Sequence, residues 1–115
     1  MDIINDFDKI IREVSSVLGK PIDKGNYEII DRGMPHQPKT LPSKMMGVYT
    51  FWHEGESIKI GKAGPNSNAR FLSQHYNPKS AQSTLAASIL RDKRMQSKGI
   101  TEHTVGDWIK NNCRR

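Results

Sequence analysis

The chain has 115 residues, 35% of them hydrophobic, so it is long enough for one domain with a modest core. It has no apolar run that could span a bilayer, no secretory signal pattern and a single cysteine, Cys113, which predicts a cytoplasmic protein without a membrane partner or an internal disulfide. The net charge is +6, with −1 on residues 1–40 and +7 on residues 41–115, which favours a polyanionic partner for the second part.

The N-terminal segment predicts one amphipathic helix followed by irregular chain. Asp2 is the expected cap of this helix and Gly19 its stop. Its apolar residues recur at three- and four-residue steps: Ile3, Phe7, Ile10, Val14 and Val17. Residues 27–30 predict a short strand, and the proline-containing stretch 31–44 predicts irregular structure. His36 lies in this stretch and is interpreted as a loop residue rather than a ligand.

Residues 46–61 predict a β-hairpin, because apolar and polar side chains alternate along them. A three-residue loop at residues 53–55 would place Trp52 opposite Glu56 and Tyr49 opposite Lys59. In that register the core face carries Val48, Trp52, Ile58 and Ile60, and the other face carries Gly47, Tyr49, Lys59 and Gly61.

The rest of the chain predicts three helices. The first covers about residues 66–76 and ends before Pro78. The second runs from about residue 84 to 96, and its end is basic, with Arg91, Lys93 and Arg94. A capping box formed by Thr104 and Asp107 is expected to open the last helix.

The order of short motifs resembles the GIY-YIG nuclease family over about residues 46–95. The residues that carry the resemblance are Gly47-Val48-Tyr49, then Lys59-Ile60-Gly61-Lys62, then Arg70 with His75 and Tyr76. The resemblance implies a small α+β domain at 46–115, a three-stranded antiparallel sheet flanked by helices. Residues 1–45 would then be a helical extension with a proline-rich arm. It also implies cleavage of DNA with one divalent metal ion, Mg²⁺ or Mn²⁺.

Residue roles follow from the same resemblance. Tyr49 would orient or deprotonate the attacking water, and Arg70 would stabilise the charge on the phosphate. Lys59 stands where the family usually has its second motif tyrosine, and its ammonium group beside Tyr49 would favour the phenolate. His75 or Tyr76 would lie near the attacking water. Gln74, one turn from Arg70, competes with them for this role.

The metal ligand implied by the resemblance is a glutamate on a later helix. Past Arg70 the acidic residues are Asp92, Glu102 and Asp107. None of them matches that helix, so Glu102 is only a weak candidate ligand, and the expectation is a domain shortened at its C-terminal end.

The sequence is therefore compatible with three functions. The first is a metal-dependent endonuclease acting on double-stranded DNA, with the DNA bound by Lys62, Arg91, Lys93 and Arg94. The second is a nucleic-acid-binding module of the same fold that does not cleave. The third is a protein-interaction domain in which Trp52, Tyr76 and the N-terminal helix form a surface for a partner. The same surface would allow self-association as a homodimer.

Overall fold

The computed structural model describes residues 2–39, 45–64, 73–80 and 84–115. The elements in order are α1 (Ile3–Val17), a 3-10 helix (Lys24–Asn26), β1 (Gly47–His53), β2 (Glu56–Ala63), a 3-10 helix (Gln74–Tyr76), α2 (Leu85–Arg91), α3 (Lys93–Gln96) and α4 (Val105–Asn112). The fold is therefore α+β, with an N-terminal helix. The chain divides into two compact units, residues 1–31 and 32–115. Within the described ranges, no helix has the length and apolar character needed to cross a membrane.

The first unit is built on α1. Its cap is as predicted, because a carboxylate oxygen of Asp2 accepts a hydrogen bond from the Asn5 backbone N–H at 3.2 Å. The helix stops before Gly19, whose φ of +70° is the left-handed conformation typical of a helix end. The predicted strand at 27–30 is wrong: these residues are irregular, and the Tyr27 hydroxyl instead donates to the Asp8 carboxylate on α1.

The second unit is organised by the hairpin of β1 and β2, which has a tighter turn than predicted. Glu54 and Gly55 form a two-residue turn with φ values of +49° and +80°, the positive-φ pair that matches the twist of a hairpin. A bulge between Phe51 and Trp52 then shifts the pairing, so that Tyr49 lies opposite Gly61. The predicted three-residue loop and the Tyr49–Lys59 pair are wrong. Since the register differs by two residues, an even number, the side chains keep the predicted partition between faces.

The core, however, lies on the other face of the hairpin. Phe51 is 0% exposed and Ala63 1%, whereas Val48 is 80% exposed and Ile60 69%. The face expected to be buried is therefore the outer face. Burying two aromatic rings, Tyr49 and Phe51, removes more apolar surface from water than burying aliphatic side chains does. The small residues on the same face also leave room for the segments that pack on it.

The C-terminal residues add to the free edge of β1. Arg114 pairs with Trp52 in an antiparallel bridge, with both N–H···O distances at 2.8 Å. On its far side Arg115 accepts a backbone hydrogen bond from Arg32 at 2.7 Å. The resemblance implies a three-stranded sheet, whereas the sheet of the described residues has two strands and Arg114 adds one bridge to it.

The helices differ from prediction in their boundaries. The expected continuous helix at 84–96 is broken at Asp92, whose backbone is extended and whose carboxylate accepts from the Arg94 N–H at 2.9 Å, which caps α3. The predicted capping box of α4 is also absent. Thr104 makes no cap hydrogen bond and accepts instead from the Thr101 N–H at 2.9 Å. Most of the predicted helix at 66–76 lies outside the described residues, and its end, Gln74–Tyr76, is a 3-10 helix.

Matched substitutions on the two faces of the hairpin test which face is buried. Phe51→Ala removes a fully buried ring and is expected to lower the free energy of unfolding by about 3–5 kcal/mol. Val48→Ala on the outer face is expected to change it by less than about 0.5 kcal/mol. Urea denaturation of dilute protein measures both. Equal losses for the two variants would mean that the hairpin buries both faces.

Candidate functional site

The candidate site is built around Tyr49, at the centre of β1. Its side chain is 8% exposed and lies directly over Gly61, its partner on β2. A methyl group at Gly61 would overlap the Tyr49 hydroxyl and would lie 2.6 Å from the ring carbon Cζ. The glycine of the second motif therefore makes room for the tyrosine of the first, and this fixes where the phenol can point.

Among the described residues, His75 has the ring nearest to that of Tyr49. The 3-10 helix Gln74–Tyr76 places its imidazole 4.4 Å from the Tyr49 ring and 5.2 Å from the Phe51 ring, measured between centroids. His75 is fully buried, at 0% exposure. The structure therefore brings two of the predicted site residues, Tyr49 and His75, into contact.

Tyr76 is the centre of a buried hydrogen-bond network. Its hydroxyl lies 2.8 Å from His36 Nε2 and accepts from Arg115 Nη1 at 2.9 Å. His36 Nδ1 lies 2.6 Å from the carbonyl oxygen of Cys113, which can only accept, so Nδ1 carries the proton. In neutral His36 the Nε2 atom is then the acceptor, and the Tyr76 hydroxyl donates to it. The irregular segment at His36 is thereby tied to the C-terminal residues.

Arg115 adds a cation to the buried cluster formed by His36, Tyr49, Phe51, His75 and Tyr76. Its guanidinium carbon lies 4.9 Å from the centroid of Phe51 and 5.8 Å from that of Tyr49. It reaches this face because Arg114 pairs with Trp52 and neighbouring residues of an extended chain point to opposite sides. Lys110 adds a second cation, 5.2 Å above the Tyr76 ring.

Burial dominates the titration of these groups. It lowers the pKa of His36, and the charges of Arg115, Lys110 and Arg32 lower it further. Burial also raises the pKa of Tyr76, although Arg115 opposes this shift. The pKa of the Cys113 thiol rises to about 12, again through burial, so the thiol stays protonated and is not a nucleophile.

Of the three other residues predicted for the reaction, the structure describes Lys59 and Gln74. Lys59 is on the same face as Tyr49 but pairs with Phe51, two residues along the strand. Arg70 lies outside the described residues. Gln74, the geometric competitor, is half-buried, and its side-chain oxygen is buried without a hydrogen-bond partner among the described residues.

The predicted DNA-binding residues are all at the surface. Lys62 is exposed on the outer face of β2, and Arg91 is exposed at the end of α2. On α3, Lys93 and Arg94 are also exposed, and the Arg94 guanidinium donates to the Asp92 carboxylate at 2.8 Å. This ion pair raises the pKa of Arg94 and holds the pKa of Asp92 below its usual value.

The described residues of the cluster do not fit a divalent metal ion. Mg²⁺ and Mn²⁺ prefer carboxylate and carbonyl oxygens. The contacts of Tyr49 and Tyr76 with described residues include aromatic rings, imidazoles and the cations Arg115 and Lys110. Glu102, the weak candidate ligand, is exposed with a carboxylate oxygen 3.5 Å from His103. Within the described ranges, no three His, Cys, Asp or Glu side chains come together in a group that could hold a metal.

Two side chains of the buried hydrogen-bond network, Arg115 and His36, are not among the site residues that the sequence predicts. Arg115 could have been found by carrying strand alternation past Cys113, which places Arg114 outward and Arg115 inward. His36 stands between Pro35 and Pro38 in a segment without periodicity, and no signal in the sequence indicates its burial.

Comparisons with known proteins add nothing to this geometry. No protein-family model matches the chain, and no curated protein and no solved structure matches it.

Gly61→Ala tests the packing of the Tyr49 side chain against Gly61. The added methyl overlaps the phenol, so the variant is expected to lose about 1–3 kcal/mol of the free energy of unfolding as the ring is displaced. Gly64→Ala is the matched control, because its methyl would meet no atom within 4 Å. Urea denaturation measures the loss of stability, and the near-ultraviolet circular dichroism of the tyrosines reports the displacement. Unchanged spectra and stability in the Gly61 variant would contradict this packing.

His36 makes stability depend on pH. Its pKa is lower in the folded chain than the 6.5 of a free imidazole, so the unfolded chain binds the extra proton. The free energy of unfolding should therefore fall as the pH drops below about 6.5, by at most about 1.4 kcal/mol per pH unit for this one proton. Urea denaturation at pH 5, 6 and 7 measures the slope. His36→Gln should be less stable at pH 7 and show a flatter profile, and equal slopes for the two chains would exclude His36 as the cause.

Proposed function

We propose that this chain carries the phosphate-facing part of a GIY-YIG-type endonuclease that hydrolyses phosphodiester bonds in double-stranded DNA. The single observation behind the proposal is the contact of Tyr49 with His75, whose ring centroids are 4.4 Å apart. Arg115 lies on the same face of the hairpin. A phenol, an imidazole and a guanidinium are groups that phosphodiester hydrolysis uses for proton transfer and charge stabilisation. The order of the motifs along the sequence supports the same function.

Each side chain has a distinct role in the proposal. Tyr49 orients or deprotonates the attacking water, and Arg70 stabilises the charge on the phosphate oxygens. His75, being fully buried, holds the phenol in place. Tyr76 positions Arg115 through the 2.9 Å hydrogen bond. Lys59 adds positive charge on the same face, although it lies opposite Phe51.

The charge distribution supports a nucleic-acid substrate. Residues 32–115 carry fourteen basic and five acidic side chains, a net charge of +9. The exposed cations Lys62, Arg91, Lys93 and Arg94 would contact the phosphates of DNA. We include a cytoplasmic location in the proposal, since a DNA endonuclease must share a compartment with DNA.

A nicking assay on supercoiled plasmid tests the proposal. Tyr49→Phe keeps the ring but removes the hydroxyl, and it is expected to reduce the rate at least about 100-fold. Arg70→Ala should cost a similar factor. Tyr27→Phe and Arg12→Ala are matched controls in the other unit, and they should nick as the parent chain does. Parallel reactions with Mg²⁺, Mn²⁺ or a chelator would show whether a divalent ion is needed.

The outcomes separate the nuclease from a second candidate, a DNA-binding module that does not cleave. The net charge of residues 32–115 supports DNA binding with or without cleavage, and it is the observation behind this second function. Intact plasmid together with strongly salt-dependent DNA binding would support it. Nicking that is equally fast with Phe at position 49 would contradict the role given to Tyr49.

A further inference from the structure

The outer face of the hairpin is an apolar surface, and apart from Lys62 its residues have no role in the proposed nuclease. Val48 is 80% exposed, Ile60 69% and Ile58 38%, and Met46, just before β1, is 69% exposed. From these fractions the four side chains expose roughly 450 Å² of mostly apolar area, within the range of the largest patch on a typical monomer. A patch of this size is often functional.

A second exposed apolar surface lies on α1. Ile10 and Val14 are each 52% exposed, Val17 is 86% exposed, and Leu18 after the helix is 70% exposed. The spacing of four and then three residues places Ile10, Val14 and Val17 in one stripe along the helix. Together with Leu18 they expose roughly another 400 Å², similar to the hairpin face.

The two elements that carry these surfaces are similar in length, and the surfaces are complementary in charge. The 15 residues of α1 span about 22 Å, and the 8 residues of β2 span about 26 Å. Residues 1–31 carry seven acidic and four basic side chains, a net charge of −3, against +9 for residues 32–115. On the helix, Asp6 and Glu13 flank the apolar stripe, whereas the outer face of the hairpin carries Lys62.

We propose that α1 of one copy of this chain packs its Ile10–Val14–Val17 stripe on the outer hairpin face of a second copy, and that the exchange is reciprocal. Charge selects this pairing, because two hairpin faces would bring Lys62 side chains together and two helix stripes would bring acidic flanks together. Reciprocal exchange uses each surface once, so the assembly closes as a two-fold dimer. It would cover roughly 1,700 Å² in total, the size of a standard stable interface.

The test is sedimentation velocity over a range of concentrations with two variants. The parent chain is expected to form a dimer, while Val14→Asp and Ile60→Asp should each be monomeric. Ser16→Asp on the polar side of α1 and Asn111→Asp on α4 are controls that should remain dimers. Far-ultraviolet circular dichroism identical to that of the parent shows that a monomeric variant is folded.

Mixing the two monomeric variants decides the geometry. The mixture retains one intact pair, the helix of the Ile60→Asp chain on the hairpin of the Val14→Asp chain. It should therefore form a heterodimer that is weaker than the parent dimer. A parent chain that is monomeric at all concentrations would overturn the proposal. A dimer that survives either single substitution would overturn it too, because it would be built helix-to-helix or sheet-to-sheet.

Discussion

The hydroxyl of Tyr76 is the point on which the second unit depends. It joins His36 and Arg115, which lie 40 and 39 residues away along the chain, and His36 in turn binds the carbonyl of Cys113. All these groups are buried, so loss of any one partner leaves a polar group without its hydrogen bond, a loss that usually costs about 1–3 kcal/mol. The network therefore fixes an irregular segment, a 3-10 turn and the C-terminal residues against one face of a two-stranded sheet, which alone would be marginal.

The choice of which sheet face to bury follows from side-chain volume. Gly61 and Ala63 on β2 leave space that the rings of Tyr49 and Phe51 fill, and those rings bring His75 and Arg115 with them. On the outer face the aliphatic side chains alternate well enough to mimic a core strand. Alternation identifies two faces but does not say which is covered, because that depends on what the rest of the chain can place there.

The sequence predicted much of the fold and part of the site. The helix at α1 and the hairpin follow from periodicity and turn residues. The partition of Tyr49 and Lys59 onto one face was also correct, although the turn was shorter than expected and the bulge then shifted the register. The burial of His36 and the break at Asp92 could not be foreseen. His36 is buried by contacts with residues that are distant in the sequence. The break at Asp92 depends on its carboxylate, which caps the backbone N–H two residues later. Neither arrangement leaves a periodic signal in the sequence.

The position of Arg115 connects the packing of the unit to the proposed chemistry. Burial lowers its pKa, and the oxygens of Tyr76 and Tyr49 counter that shift, so the guanidinium remains a cation inside the core. Its charge opposes protonation of His36, and in this way it keeps the imidazole available as the acceptor of the Tyr76 hydroxyl. One buried cation thus stabilises the network that holds it, and it lies beside the phenol to which the proposed function gives the attacking water.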